Sequence, residues 1–156
     1  MTGVLASQQL QVMIDNGQIT GAVPLVSGQV QPASLGLRRG DIAHRVRASF
    51  LAGASRRVAD RLSDFEMHRI DLTEGAVLEK GCVYVVPLLE SLDLPAGVSG
   101  AASAKSSIGR LDLLTRIITD HGTEFDRIPD GYTGPLYVEI CPQSFSVIAQ
   151  TGQMLN

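Results

Sequence analysis

The chain has 156 residues, of which 44% are apolar and 19% are charged. This composition is ordinary for a globular domain and excludes an intrinsically disordered chain. The 13 Lys and Arg residues against 16 Asp and Glu residues give a formal net charge of −3, which is not the basic balance of a nucleic-acid-binding protein. An anionic ligand would therefore depend on local cationic groups.

The two cysteines, Cys82 and Cys141, each lie in an apolar run and are predicted to be buried free thiols. The N-terminus lacks the basic and long apolar regions of a signal peptide. No apolar run approaches the roughly 18 residues that a membrane span needs. We therefore expect a soluble cytoplasmic protein that binds neither membranes nor nucleic acid.

The first half of the chain predicts two short helices and two strands. A helix is expected over Ser7 to Asn16, stopped by Gly17. Alternation of apolar and polar residues predicts strands over Gln31 to Arg39 and over Ala43 to Phe50. One or two helical turns are expected over Arg57 to Phe65.

The second half is dominated by apolar and β-branched runs. Val77-Leu78 and Cys82 to Leu89 are predicted to be buried strands, and Pro87 indicates an edge or a strand end in the second. Ser91 to Ser107 has the composition of a loop. Ile108 to Ile118 spaces its apolar residues at helical intervals, which fits a short helix running into a strand.

The last strands are expected over Leu136 to Ile140 and Ser144 to Ala149, separated by Pro142. Many short strands and few helices predict an all-β or β-rich barrel or sandwich with one or two short helices. We expect residues 1–156 to form one unit, with residues 1–30 as an N-terminal helix and extension. Because the chain stops just after a turn, at Asn156, we expect a fragment or one half of a longer protein.

One segment carries two cations and two hydroxyls close together. Ser106 and Ser107 lie between Lys105 and Arg110. If a helix begins at Ile108, its N-terminus would favour an anion beside the serines. The alternative is a serine that only caps the helix, with both cations in solvent.

A carboxylate also lies within an apolar strand. Glu139 follows Leu136, Tyr137 and Val138, so it is either a solvated strand residue or a group in a cleft. In an apolar cleft a carboxyl group suits proton transfer. Asp130 belongs to a Pro-Asp-Gly sequence that is typical of a turn.

Taken together, these motifs resemble a known family. The segments QPASLGLRRG, KSSIGRLD, DGYTGPLYVEI and SFSVIAQTGQMLN occur in the order found in dCTP deaminases, which belong with the trimeric dUTPases. The sequence is most similar to the N-terminal unit of the long, two-unit bacterial form. The resemblance implies a distorted dUTPase-like β-barrel, a homotrimer with sites between subunits, and metal-free hydrolytic deamination of dCTP to dUTP and ammonia. It also implies that Mg²⁺ accompanies the triphosphate without activating the water.

The resemblance assigns roles to individual residues. Glu139 corresponds to the catalytic glutamate, with Ser106 and Arg110 as its catalytic partners. Ser106 and a backbone carbonyl such as that of Thr119 would hold the attacking water, and Arg110 would orient Glu139 or contact phosphate. The expected substrate-binding residues are Lys105, Ser107, Ile108, Gly109, Asp130, Tyr137 and Val138, the last two through their backbone. No metal ligand is expected, and the HxE…PCxxC signature of zinc deaminases is missing from the sequence.

The sequence departs from the family pattern at two positions. Gly36 replaces a residue that is usually acidic, and Pro129 stands where an aspartate is common, one position before Asp130. One alternative is a dUTP diphosphatase-like or bifunctional enzyme, and Pro129 counts against it. The other is a non-catalytic structural half of a tandem deaminase, which Gly36 and the stop at Asn156 keep open.

Overall fold

A computed structural model of the chain describes residues 3–105 and 112–154. The two helices in these ranges are α1 (Ser7–Asp15) and α2 (Val58–Phe65). The strands are β1 (Ile19–Gly21), β2 (Val30–Gln31), β3 (Ser34–Leu35), β4 (Ile42–Val46), β5 (Glu66–Asp71), β6 (Ala76–Leu78), β7 (Val83–Asp93), β8 (Gly100–Ala101), β9 (Leu113–Thr119), β10 (Arg127–Ile128), β11 (Thr133–Pro142) and β12 (Val147–Ala149). The all-β prediction with short helices is confirmed.

A six-stranded antiparallel sheet organises the molecule. Its strands run in the order β5-β4-β7-β11-β9, and β1 also pairs with β7. Three small two-stranded pairs, β2 with β3, β6 with β12 and β8 with β10, complete the described strands. The longest strands, β7 and β11, therefore lie in the middle of the sheet.

The two faces of the sheet bury separate apolar clusters. On one face Val86, Leu136 and Val138 join a large core that also receives Leu10 and Met13 from α1. On the other face the smaller cluster is closed by α2 and consists of Val46, Phe50, Ala52, Val58, Leu62, Val85, Ile118 and Tyr137. Alternation along β11 therefore sends Leu136 and Val138 to one core, and Tyr137 and Glu139 to the face beneath α2.

Both helices lie where the sequence predicts them. Helix α1 ends at Asp15 and is followed by Gly17, whose φ of 74° suits glycine at a helix stop. Helix α2 buries Val58 and Leu62 on one side. Their amphipathic spacing is enough to predict them.

The interpretation of Pro87 as an edge or strand-end residue is wrong. Pro87 lies inside β7, between β4 and β11. Pairing with β4 covers only Val83–Val85, and beyond it the Gly40 amide donates to the Pro87 carbonyl at 2.9 Å. Since the regular ladder has ended there, the missing proline N–H removes no ladder bond. A Cβ at Gly40 would lie 2.5 Å from the same carbonyl oxygen, so this approach requires glycine.

Several other predicted boundaries are also wrong. Gln31 to Arg39 forms the short β2–β3 hairpin and isolated bridges rather than one strand. The Gly36 amide donates to the Gln29 carbonyl in register with that hairpin, whereas the Arg38 amide donates to the Glu90 carboxylate and not to a strand. The strand predicted to reach Phe50 ends at Val46, and the one expected from Ser144 begins at Val147.

The predicted loop over Ser91 to Ser107 begins too early. Strand β7 continues through Ser91 to Asp93, into residues predicted to be a loop. The strand expected at the end of Ile108 to Ile118 is confirmed as β9, which begins at Leu113. Residues 108–111 lie outside the described residues.

The two cysteines are free thiols, as predicted, but they are only half-buried, so the prediction that they are buried is wrong. No helix in the described residues is long and apolar enough to cross a membrane.

Candidate active site

A buried ion pair joins the two strands at the edge of the sheet. Glu139 on β11 lies directly opposite Arg116 on β9. Arg116 Nε lies 2.8 Å and Nη2 lies 2.7 Å from the same carboxylate atom, Glu139 Oε2. The Glu139 side chain is 2% exposed, so the solvated alternative for this residue does not hold.

The second carboxylate oxygen of Glu139 is in a different situation. Within residues 3–105 and 112–154, Oε1 is buried and has no hydrogen-bond partner. A buried acceptor without a donor costs roughly 1–3 kcal/mol. Glu139 therefore presents one occupied oxygen and one oxygen that can accept a bond from a water or a ligand.

Arg116 is fixed by contacts with two loops. Its guanidinium carbon lies 3.9 Å from the centroid of the Phe125 ring, an arrangement that stabilises a cation on an aromatic face. Arg116 Nη2 also donates to Ser49 Oγ at 3.1 Å. The Arg116 side chain is 31% exposed, so the pair lies at the border between the core and solvent.

Lys105 lies on the other side of the sheet. It lines a cavity of about 340 Å³ together with Gly36 and Leu136. Because Leu136 and Glu139 face opposite sides of β11, this cavity and the Glu139 carboxylate are separated by the sheet. One chain thus does not bring Lys105 and Glu139 together. Ser106, Ser107, Ile108, Gly109 and Arg110 lie outside the described residues, and their predicted roles stay predictions.

Tyr137 and Val138 are internal residues of β11. Tyr137 pairs with Pro87 and Ile118, and Val138 with neighbours on the same two strands. Both side chains are buried, and burial raises the pKa of the Tyr137 phenol. Tyr137 also borders a cleft beneath α2 that His44 and Pro87 line. Their proposed contact with a base stays a prediction.

Two further predicted residues lie at or beyond the end of β9: Thr119 is the last residue of β9, and Asp130 follows β10. The Asp130 carboxylate accepts the Gly97 amide at 2.9 Å, so it joins its own turn to the loop between β7 and β8. The Thr119 carbonyl accepts the Gly122 amide at 3.2 Å, and Thr119 Oγ1 is buried with no partner in the described chain. The carbonyl keeps a second lone pair for a water.

Sequence reasoning missed Arg116. Its signal was the same as that of Glu139, a single charged residue inside an apolar strand run, here Leu113 to Thr119. The buried pair of Arg38 and Glu90 was missed for the same reason. Pairing two such charges requires the strand register, which the sequence does not supply.

Residues 3–105 and 112–154 contain no group of three His, Cys, Asp or Glu side chains placed to hold an ion.

The class of protein follows from these features: an all-β domain with a buried carboxylate on a central strand, rather than a βαβ nucleotide-binding fold. The whole chain, residues 1–156, matches the family described as the 2'-deoxycytidine 5'-triphosphate deaminase (DCD) N-terminal domain, and it belongs to that family. The family resemblance seen in the sequence is confirmed.

Individual relatives agree with this membership. The chain is 30% identical over 140 residues to a Corynebacterium glutamicum protein named "dCTP deaminase, dUMP-forming". The aligned residues make up 88% of this chain and 68% of that protein. A protein of the same name from Corynebacterium diphtheriae is 30% identical over 139 residues, or 86% of this chain and 68% of that protein.

A solved structure is also similar. The crystal structure of 2'-deoxycytidine 5'-triphosphate deaminase from Agrobacterium tumefaciens is 51% identical and superposes with a TM-score of 0.96 over 99% of this chain. The chain spans 46% of the length of that protein.

Proposed function

We propose that this chain is a unit of an enzyme that hydrolyses dCTP to dUTP and ammonia. The observation that supports the proposal is Glu139, a carboxylate 2% exposed with one oxygen held by Arg116 and the other buried without a partner in the described chain. Membership in the deaminase family supplies the substrate class.

Deamination of cytosine requires one carboxylate to act both as a general base and as a general acid. C4 of cytosine is a weak electrophile until N3 is protonated, and water is a weak nucleophile until it loses a proton. Glu139 would take a proton from water as the oxygen bonds to C4, and deliver it to N3. It would then pass the second water proton to the amino group, so that the C4–N bond breaks and ammonia leaves.

The remaining predicted residues would bind the nucleotide around this carboxylate. Ser106 and the Thr119 carbonyl would hold the water, and Arg110 would complete the catalytic group. The triphosphate, sugar and base would contact Lys105, Ser107, Ile108, Gly109, Asp130, Tyr137 and Val138. Mg²⁺ would enter with the triphosphate, with phosphate oxygens and water as ligands, and we propose no cofactor for the hydrolysis itself.

We further propose a cytoplasmic homotrimer whose sites are shared between subunits. Supporting this, Lys105 and Glu139 lie on opposite sides of β11 within one chain. Mixing inactive Lys105→Met and Glu139→Gln proteins after unfolding and refolding together should restore part of the deaminase activity. Sedimentation would report the number of subunits, and failure of the mixture to regain activity would contradict a shared site.

A second candidate function has specific support. The Corynebacterium relatives are named as dUMP-forming, which fits a bifunctional enzyme that also releases pyrophosphate. Incubation with dCTP and, separately, with dUTP, followed by measurement of ammonia and pyrophosphate, distinguishes the two. Ammonia without pyrophosphate supports dUTP as the product, whereas both together support dUMP.

The decisive experiment is Glu139→Gln in the full-length protein. Turnover of dCTP should fall by about 10²–10⁴-fold, the usual contribution of a general acid or base, while calorimetry still detects dCTP binding. The control is Glu124→Gln, which removes an exposed carboxylate and should leave turnover unchanged. Undiminished turnover in Glu139→Gln would rule out the mechanism. A correctly assembled wild-type protein that turns over neither nucleotide would instead identify a structural half.

A further inference from the structure

We propose that Arg116 is a positioning residue that gives the two Glu139 carboxylate oxygens different roles. Arg116 holds Oε2 permanently, and Oε1 exchanges the protons with water and substrate. This inference rests on the proposed function, because it assigns a role within the deamination site.

The Arg116–Glu139 pair does not have the bidentate geometry that is common for arginine and a carboxylate. An arginine usually meets a carboxylate with two parallel bonds, one to each oxygen. Here Nε and Nη2 both contact Oε2, at 2.8 Å and 2.7 Å. The contact fixes the orientation of the carboxylate and leaves Oε1 without a donor in the described chain.

The other buried carboxylate of the sheet shows the contrast. Glu90 is fully buried, and both of its oxygens are used: Oε1 by Arg38 Nε and the Gln29 amide, and Oε2 by the Arg38 backbone N–H. Glu90 is thus saturated by the fold. Glu139 instead keeps one buried oxygen in reserve within the described chain.

The surroundings of Arg116 fit a positioning role. The Phe125 ring and Ser49 Oγ restrain its guanidinium from two loops. The backbone register places Arg116 and Glu139 as direct cross-strand neighbours. Arg116 therefore cannot turn away without losing three contacts, and the carboxylate it holds has one orientation.

The test uses Arg116→Gln and Arg116→Lys in the full-length enzyme. For Arg116→Gln, kcat for dCTP should fall by about 10²-fold, as expected when a reacting group is misplaced by about 1 Å, while KM changes little. Arg116→Lys should recover part of kcat, because an ammonium group restores a cation beside Oε2 but not the two-point contact. Thermal unfolding of each variant shows whether the loss of kcat comes from loss of fold.

Arg69→Gln is the matched control. Arg69 Nε contacts the Glu66 carboxylate at the same 2.8 Å, on the opposite edge strand of the sheet. This variant should keep the wild-type kcat. If wild-type enzyme turns over dCTP and Arg116→Gln keeps its kcat, or loses it only through a raised KM, the inference fails while the proposed function stands. If wild-type enzyme lacks turnover, the proposed function fails first and this inference falls with it.

Discussion

At the scale of single residues, two Glu–Arg pairs inside one sheet do different things. Both glutamates are almost inaccessible, with Glu139 at 2% and Glu90 at 0% exposure. Glu90 has its bonding capacity filled from within the chain, whereas Glu139 does not. Burial does not separate the two carboxylates, and the unfilled acceptor of Glu139 is what supports the chemical role proposed for it.

The Glu90 pair predicts a large stability effect. Replacing Glu90 with Gln should lower the free energy of unfolding by about 3–5 kcal/mol, because it leaves the Arg38 guanidinium, 3% exposed, without a counter-charge. Urea unfolding measures the change. Glu79→Gln removes an exposed partner of Arg45 and should cost less than about 1 kcal/mol. Equal effects for the two variants would show that the buried pair contributes no more than a surface pair.

At the scale of secondary-structure elements, the sheet and helix α2 are joined by one side chain. Asp120 follows β9 directly, and its carboxylate accepts the amide of Val58, the first residue of α2, at 2.8 Å. The contact caps the helix N-terminus with an acidic group, which also suits the helix dipole. It therefore fixes α2 over the face of the sheet that carries Glu139.

Removing this cap should weaken α2. Asp120→Ala is expected to lower the free energy of unfolding by about 1–2 kcal/mol, within the range for lost N-caps. Amide hydrogen exchange should show the loss concentrated in Val58 to Phe65. Asp60→Ala, which removes an exposed carboxylate within the same helix, should have a smaller effect. Exchange that is unchanged in α2 would contradict the capping role.

The elements also show what a sequence can predict. Helices α1 and α2 and strand β11 carry their own periodicity, so their positions follow from local pattern. Strand β7 does not, because Pro87 is tolerated only through its place beside Gly40 in the assembled sheet. Glu139 could be found from its motif, but its partner Arg116 depended on a register between β9 and β11 that no local pattern encodes.

At the scale of the whole molecule, the three tyrosines are distributed over both apolar clusters, and burial raises the pKa of each. Burial raises the pKa of Tyr84 and Tyr137, and it raises the pKa of Tyr132 to about 12. Tyr132 and Tyr84 belong to the larger cluster and Tyr137 to the smaller one. Folding thus favours the neutral phenol throughout the molecule.

These shifts predict alkaline unfolding. The stabilisation from the neutral phenols is complete below the ordinary tyrosine pKa of 10.0 and is lost as pH rises towards about 12, because the unfolded chain releases these protons first. Ultraviolet absorbance of phenolate should therefore rise together with loss of circular dichroism. The same titration in concentrated denaturant should show ordinary tyrosine ionisation. Phenolate appearing near the ordinary pKa in a protein that stays folded would contradict the prediction.

The contacts of the Arg38 side chain limit where insertions and deletions can occur in the N-terminal part of the chain. Besides Glu90, its guanidinium donates to the backbone carbonyls of Pro24 and Val23, at 3.0 Å and 3.1 Å. These bonds hold the stretch after β1 against the interior. Within the described ranges, Arg38 Nη1 and Nη2 have no other acceptors. Deletion of Pro24 would leave the Arg38 guanidinium without one of these acceptors, whereas residues 3–6 accept no bond from a buried side chain in the described chain. Among homologues, insertions and deletions at this end should therefore accumulate ahead of Ser7 and spare the segment from Ile19 to Pro24.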